Sequence, residues 1–190
     1  MTVEKRPFQS VLESHKEHVH AIGMISIELA NLELFMGQML AALIGIDPYL
    51  GEIIYLTPKT GIGRIAVLEN AMDYLLVEGS TGHKYLGSLL GKAKAVMQRR
   101  HDLIHVVWAE NAANTDEVCR LPLPLKHDPP KSIPVPIQDL TNLIRDIRLL
   151  VADVQQETRR MGMSRTAAVL AEKFNPPSSS PPKSSEPPTS

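Results

Sequence analysis

Proline removes a backbone N–H and clashes with the preceding turn, so a long helix does not run through it. Of the 15 prolines in this chain of 190 residues, six lie between 122 and 136 and six between 176 and 188, while none falls between Pro58 and Pro122. Long helices are therefore confined to the proline-free stretches, and the apolar spacing there supports them. Ile22, Ile25, Leu29, Leu32, Met36, Met39 and Leu43 recur at steps of three and four, which draws one apolar stripe down a helix from near Pro7 to Gly45. A bend is expected around Gly23, because an interior glycine weakens a helix by roughly 1 kcal/mol relative to alanine.

Asp47-Pro48 reads as an N-cap followed by a first-turn proline, opening a short helix through Leu56 that Thr57-Pro58 closes. Thr60 caps a third helix in which Ile65, Leu68, Met72 and Leu75 share a face, and residues 78–82 have the composition of the loop that ends it. A fourth helix is predicted from about His83 to Val107, with Leu86, Leu89, Ala93, Met97 and Ile104 on its apolar side. Periodicity then fails from Ala109 to Pro136, a loop or poor hairpin with a short strand at Glu117 to Leu121. Helix five takes over near Ile137, carries Leu140, Ile144, Ile147, Val151 and Val154 at helical steps, and frays after Met161-Gly162. The fold class that follows is all-α: an up-and-down bundle of about five helices with an irregular loop or poor hairpin before the last. Residues 1–163 form the domain and 164–175 hold a short helix. Residues 176–190, rich in Pro and Ser, have too few apolar side chains to offset ordering entropy and are expected to be disordered.

Composition narrows the function classes. Twenty Lys plus Arg against 21 Asp plus Glu give a formal charge of -1, so the molecule as a whole is not a polycation for nucleic acid. Any such contact is local. Residues 1–78 carry ten acids and five bases, whereas 79–101 carry Lys84, Lys92, Lys94, Arg99 and Arg100 and no acid. Cys119 is the single cysteine and nothing near it has zinc-ligand spacing, which points to a reducing compartment. The longest apolar run, Met39 to Ile46, is far short of a membrane span, and no signal peptide is read at the N-terminus, so no membrane role and a cytoplasmic address are expected.

The basic segment leads into the densest cluster of reactive side chains, Arg99-Arg100-His101-Asp102-Leu103-Ile104-His105. Three readings compete for it. His101 and His105 stand four apart, as in the H-E-x-x-H zincins, but aspartate replaces the glutamate and only His127 in the proline-rich loop offers a further histidine downstream, so no metal or other cofactor is assigned. The second reading is metal-independent phosphodiester chemistry. An arginine presents a fixed fork of donors to a phosphate, and a histidine titrates near neutrality and so can move the proton of a 2'-hydroxyl. On an ideal helix Arg100 and His105 are about 140 degrees apart, which a curling arginine or a second protomer would have to bridge. The third reading is structural: cations near a helix C-terminus favour its dipole.

Arg100, polar His101 and then His105 resemble the R-x4-6-H motif of the HEPN superfamily, the higher eukaryote and prokaryote nucleotide-binding domains. The surrounding text is similar too. IELANLELFMGQMLAALIGIDP, a third helix bearing GRIAVLENAMDYL, then MQRRHDLIHVVWA and a last helix after an irregular insertion look like a bacterial HEPN-type protein over about residues 15–160. The resemblance implies an all-α bundle that forms a homodimer with the motif at the interface. Many members are metal-independent ribonucleases of toxin-antitoxin or defence systems, and others keep the fold without demonstrated catalysis. By that resemblance Arg100 stabilises phosphate charge, His105 is the general acid or base, and His101 orients or assists. Arg99 is a fallback for the arginine. Where many members carry asparagine and a small residue, this chain has His101 and Val106. The partners implied are RNA and an antitoxin or other protein.

Further features are weighed beside the motif. Lys92, Lys94, Arg99 and Arg100 could track an RNA backbone, or simply solvate a helix face. Gly87, Gly91 and Ala95 form a small-residue strip suited to a close helix neighbour, read first as packing inside the bundle and second as a subunit contact. Trp108 is expected to cap the core at the end of helix four, and His15, His18 and His20 to be surface polar groups. Lys59-Thr60-Gly61-Ile62-Gly63 looks like a phosphate loop only superficially and is read as a helix start.

Overall fold

A computed structural model of the chain describes residues 12, 14–104, 106–111, 114–122 and 132–174. The tail 176–190, His127 and the stretch next to Pro7 lie outside the described residues. Among the described residues the order is α1 (Lys16–Ile44), α2 (Pro48–Leu56), α3 (Gly61–Leu75), α4 (Thr81–Ile104), β1 (Val106–Asn111), β2 (Asn114–Pro122), β3 (Ile133–Pro134) and α5 (Ile137–Phe174). The fold is a mostly all-α bundle with one small antiparallel sheet in the order β1-β2-β3.

α1 is the central element. Ile25, Leu29, Leu32, Met36 and Met39, all on the stripe read from the sequence, are buried and face α5, α2 and the rest of the core. By length and composition α1 could cross a membrane. In this fold its apolar stripe forms the core of the bundle instead. The helix starts at Lys16 rather than near Pro7, because His15 has a non-helical backbone and the chain there turns against the sheet. It runs unbroken through Gly23 and ends at Gly45, whose φ of 76° places it in the left-handed region that favours glycine.

The caps at α2 and α3 form as the sequence predicts. The Asp47 carboxylate accepts from the amides of Tyr49 and Leu50, and Thr60 Oγ1 accepts from the amide of Gly63 at 3.1 Å. α2 then packs back along α1 with little space between backbones: a Cβ built on Gly51 would stand 2.5 Å from Ala41 Cβ and 2.7 Å from the Gly37 carbonyl oxygen. On α3, Ile65, Leu68 and Met72 are buried, but Leu75 at the helix end is exposed.

Two expectations near the fourth helix are corrected. α4 stops at Ile104, and Val106, Val107 and Trp108 belong to β1, paired with Pro122, Leu121 and Arg120 of β2. Three residues rich in branched and aromatic side chains gain a strand partner, which outweighs one further helical turn. The poor hairpin is therefore a definite one, and Trp108 packs against the core from a strand rather than from a helix end. At the C-terminal side, α5 continues through Gly162 to Phe174, so residues 165–173 extend it and do not form a separate helix. Buried Glu157, paired with Arg160 Nη2 at 2.5 Å, lies in the turn before the expected fraying point.

Candidate functional site

The basic stretch of α4 distributes its side chains over three helix faces, and each face meets a different neighbour. Lys92 Nζ reaches Asp153 Oδ2 on α5 at 3.3 Å, and Arg99 Nη1 reaches Asp146 Oδ2, also on α5, at 2.9 Å. Lys94 Nζ meets Glu69 Oε1 on α3 at 2.6 Å. Three of the four residues expected to track RNA are thus engaged by carboxylates of the bundle itself. A linear count of charge could not detect these acids, which come from elements 25 to 61 residues away.

Arg100 differs. It follows Ala93 and Met97 at steps of four and three, so the three share one face. Ala93 is buried and Met97 packs against the core, and Arg100 comes where that face emerges. Among the described residues no carboxylate pairs with it. The guanidinium borders a cleft of about 680 Å³ between α1, the start of α3 and the last turns of α4. Leu29 and Glu33 of α1, Lys59 and Arg64 at the α3 end, and Arg100 and His101 of α4 line it. Glu33 is its acid, and it is held by Arg64 Nη1 at 2.6 Å while Arg64 Nε donates to the Pro58 carbonyl at 3.0 Å. Lys59, like Arg100, has no carboxylate partner among the described residues.

α3 opens onto this cleft with its first turn, Gly61 and Ile62, and its dipole adds to the positive potential there. The close approach of α3 to α4 rests on Gly61, where an added Cβ would stand 2.8 Å from Met97 Sδ. The segment Lys59 to Gly63 is a helix start, as the sequence predicts, but one that faces Arg100.

His101 is exposed on the cleft rim. His105 lies outside the described residues, between Ile104, the last residue of α4, and Val106, the first of β1. The angle of about 140 degrees between it and Arg100 presumes a helix that continues through 105, whereas α4 ends one residue earlier. That helix end is fixed from the sheet: Arg120 Nη1 on β2 donates to the Asp102 carbonyl at 2.7 Å, and the Asp102 carboxylate accepts from Gln98 Nε2 at 2.9 Å. Sequence reasoning placed Lys59 only at a helix start and missed Arg64 and Arg120, because their relation to the motif exists only after α3 and β2 pack beside α4.

The remaining chemistry-bearing groups are structural. His18 Nε2 lies 2.9 Å from the Val135 carbonyl, and His15 Nε2 stands 3.5 Å from Glu110 Oε1 of β1, too long for a good hydrogen bond. Both histidines are half-buried, His18 joining the start of α1 to the segment after β3, which corrects their reading as surface groups; His20 is exposed. Burial, helped by the Glu117 carboxylate, pushes the Cys119 thiol above its ordinary range, so it is a poor nucleophile. Among the described residues no group of three His, Cys, Asp or Glu could hold a metal ion. The small-residue strip is not packed against the described bundle: among the described residues nothing lies within 4 Å of a Cβ built on Gly87 or Gly91.

In comparisons with protein-family models, curated proteins and solved structures, nothing matched the chain.

Proposed function

We propose that this is a HEPN-like, metal-independent endoribonuclease of a toxin-antitoxin or defence system, acting in the cytoplasm as a homodimer. The observation that supports the reading is the isolation of Arg100. Its neighbours Lys92, Lys94 and Arg99 are neutralised by acids of α3 and α5, while Arg100 borders a concave basic cleft beside His101. A planar donor fork without a carboxylate partner among the described residues suits a phosphate and the charge that grows on it.

In this mechanism His105 takes the proton of a ribose 2'-hydroxyl, and the oxygen attacks the adjacent phosphorus. The bond to the 5'-oxygen breaks, and that oxygen takes up a proton. The products are a 2',3'-cyclic phosphate and a 5'-hydroxyl. Arg100 stabilises the added charge on the phosphoryl oxygens, and His101 orients the group between them.

The test incubates purified protein with total RNA in EDTA beside Arg100→Ala and His105→Ala. Cleavage by the wild type with cyclic-phosphate ends is expected, with losses of about 100-fold or more in each variant. Equal degradation by all three means contamination and sinks the assignment. A second reading, a non-catalytic dimeric scaffold or regulator that binds a protein partner, is favoured by α2, which exposes Tyr49, Leu50, Ile53, Ile54 and Leu56. A protein of that kind leaves RNA intact in all three samples.

A further inference from the structure

We infer that the cleft between α1, α3 and α4 is a binding groove for the phosphodiester backbone of single-stranded RNA, with Lys59 as a phosphate contact separate from the Arg100 centre. That the phosphodiester belongs to RNA rests on the function proposed above. The cleft itself is argued from charge and shape. Lys59, Arg64 and Arg100 outnumber Glu33, which Arg64 neutralises, so two cations remain without a carboxylate among the described residues. They come from the α2–α3 connection and from α4, distant in sequence, and converge on one concavity of about 680 Å³, within the range of small-ligand sites.

Such a groove recognises backbone rather than base. Among the described residues no Phe, Tyr or Trp lines it, so they offer successive bases no aromatic platform to stack on, and sequence-tolerant contact with phosphates is the chemistry on offer. Its apolar lining, Leu29, Ile62 and Met97, suits ribose faces between phosphates. Lys59 lies at the α3 side and Arg100 at the α4 side, so a strand crossing from one to the other presents different phosphates to the two cations.

The test measures fluorescence anisotropy of a labelled 12-nucleotide RNA in which every ribose is 2'-O-methylated. Such a probe lacks the nucleophile, so binding is read apart from cleavage. Lys59→Gln is expected to weaken binding several-fold, alike for different sequences, and to lower the salt slope by about 0.7, the loss of one phosphate contact on a single strand. Ile62→Glu places a carboxylate in the cleft at a position 63% exposed. Acidic residues are tolerated in a first helical turn, so the fold is retained and binding falls further. Lys84→Gln, at the other end of α4, is expected to bind as the wild type does.

Three outcomes overturn the inference: no binding by the wild type, weakening by Lys92→Gln and Lys94→Gln equal to that of Lys59→Gln, or displacement of the probe by AMP at matched phosphate concentration, which assigns the cleft to a mononucleotide. Binding that depends on Lys59 and Ile62, in a protein that leaves unmodified RNA intact in EDTA, supports the groove and refutes the nuclease.

Discussion

The guanidinium of Arg120, in the middle strand of the sheet, donates to the main-chain carbonyl of Asp102 at 2.7 Å. Asp102 stands two residues before the end of α4, where carbonyls lack helical partners and a cation complements the dipole. One side chain thereby couples the hairpin to the helix that carries Arg100 and leads into His105. Arg120→Ala is expected to lower stability by about 1–2 kcal/mol, since a half-buried carbonyl loses a charged donor. Urea unfolding checks this. The same variant is expected to reduce the proposed RNA cleavage more than a destabilisation of that size explains at 25 °C, because the end of α4 is no longer held.

Packing between α1 and α2 gives a sharper expectation. Alanine normally improves a helix relative to glycine by about 1 kcal/mol, and Gly51 lies inside α2. Here the added methyl would meet Ala41 Cβ at 2.5 Å and backbone atoms of Gly37 and Ala41 at 2.7 and 2.9 Å, none of which is the yielding end of a flexible side chain. Gly51→Ala is therefore expected to destabilise by about 1–3 kcal/mol through overpacking. A gain in the urea midpoint would show that α2 can lift off α1 freely.

Where local chemistry decides the structure, the sequence was readable. Asp47-Pro48 and Thr60 mark helix starts because a cap is a contact within three residues. The end of α4 is different in kind. Val106-Val107-Trp108 satisfies helical spacing as well as a strand, and the choice is made by β2, whose Leu121 and Arg120 pair with Val107 and Trp108 from more than ten residues away. The candidate site divides in the same way. Arg100 and His101 can be singled out by motif, but their separation from Lys92, Lys94 and Arg99 depends on Asp153, Glu69 and Asp146, which only tertiary packing brings near. The half-burial of His15 and His18 likewise depends on Glu110 and Val135, from the hairpin region.

Tyr55 is fully buried and its hydroxyl has no hydrogen-bond partner among the described residues. A buried unpaired hydroxyl costs about 1–3 kcal/mol, so Tyr55→Phe is expected to be neutral or to stabilise by about 1 kcal/mol. Burial, with a further push from Glu33 and a smaller opposing pull from Arg64, raises the phenol well above its ordinary value of 10.0. The unfolded chain then ionises this tyrosine first. Stability from Tyr55 is fully present below about pH 10 and is lost as pH rises above it. Denaturation measured at pH 8, 10 and 11 is expected to show a steeper loss in the wild type than in Tyr55→Phe, and parallel losses would refute the buried neutral phenol.

The strip on α4 separates monomer from dimer energetics. Among the described residues nothing stands within 4 Å of a methyl added at Gly87 or Gly91, and both residues are inside a helix. In an isolated chain each change to alanine gains about 0.5–1 kcal/mol by removing glycine's backbone entropy and packs against nothing. If two protomers bring α4 helices together through the strip, the same methyl groups keep those backbones apart, so the proposed homodimer weakens while the protomer becomes more stable. Gly87→Ala/Gly91→Ala is therefore expected to raise the urea midpoint at concentrations where the protein is monomeric and to shift sedimentation toward monomer at high concentration. Unchanged sedimentation with the midpoint raised would place any dimer contact on another face, for which the exposed apolar residues of α2 are the next surface to substitute.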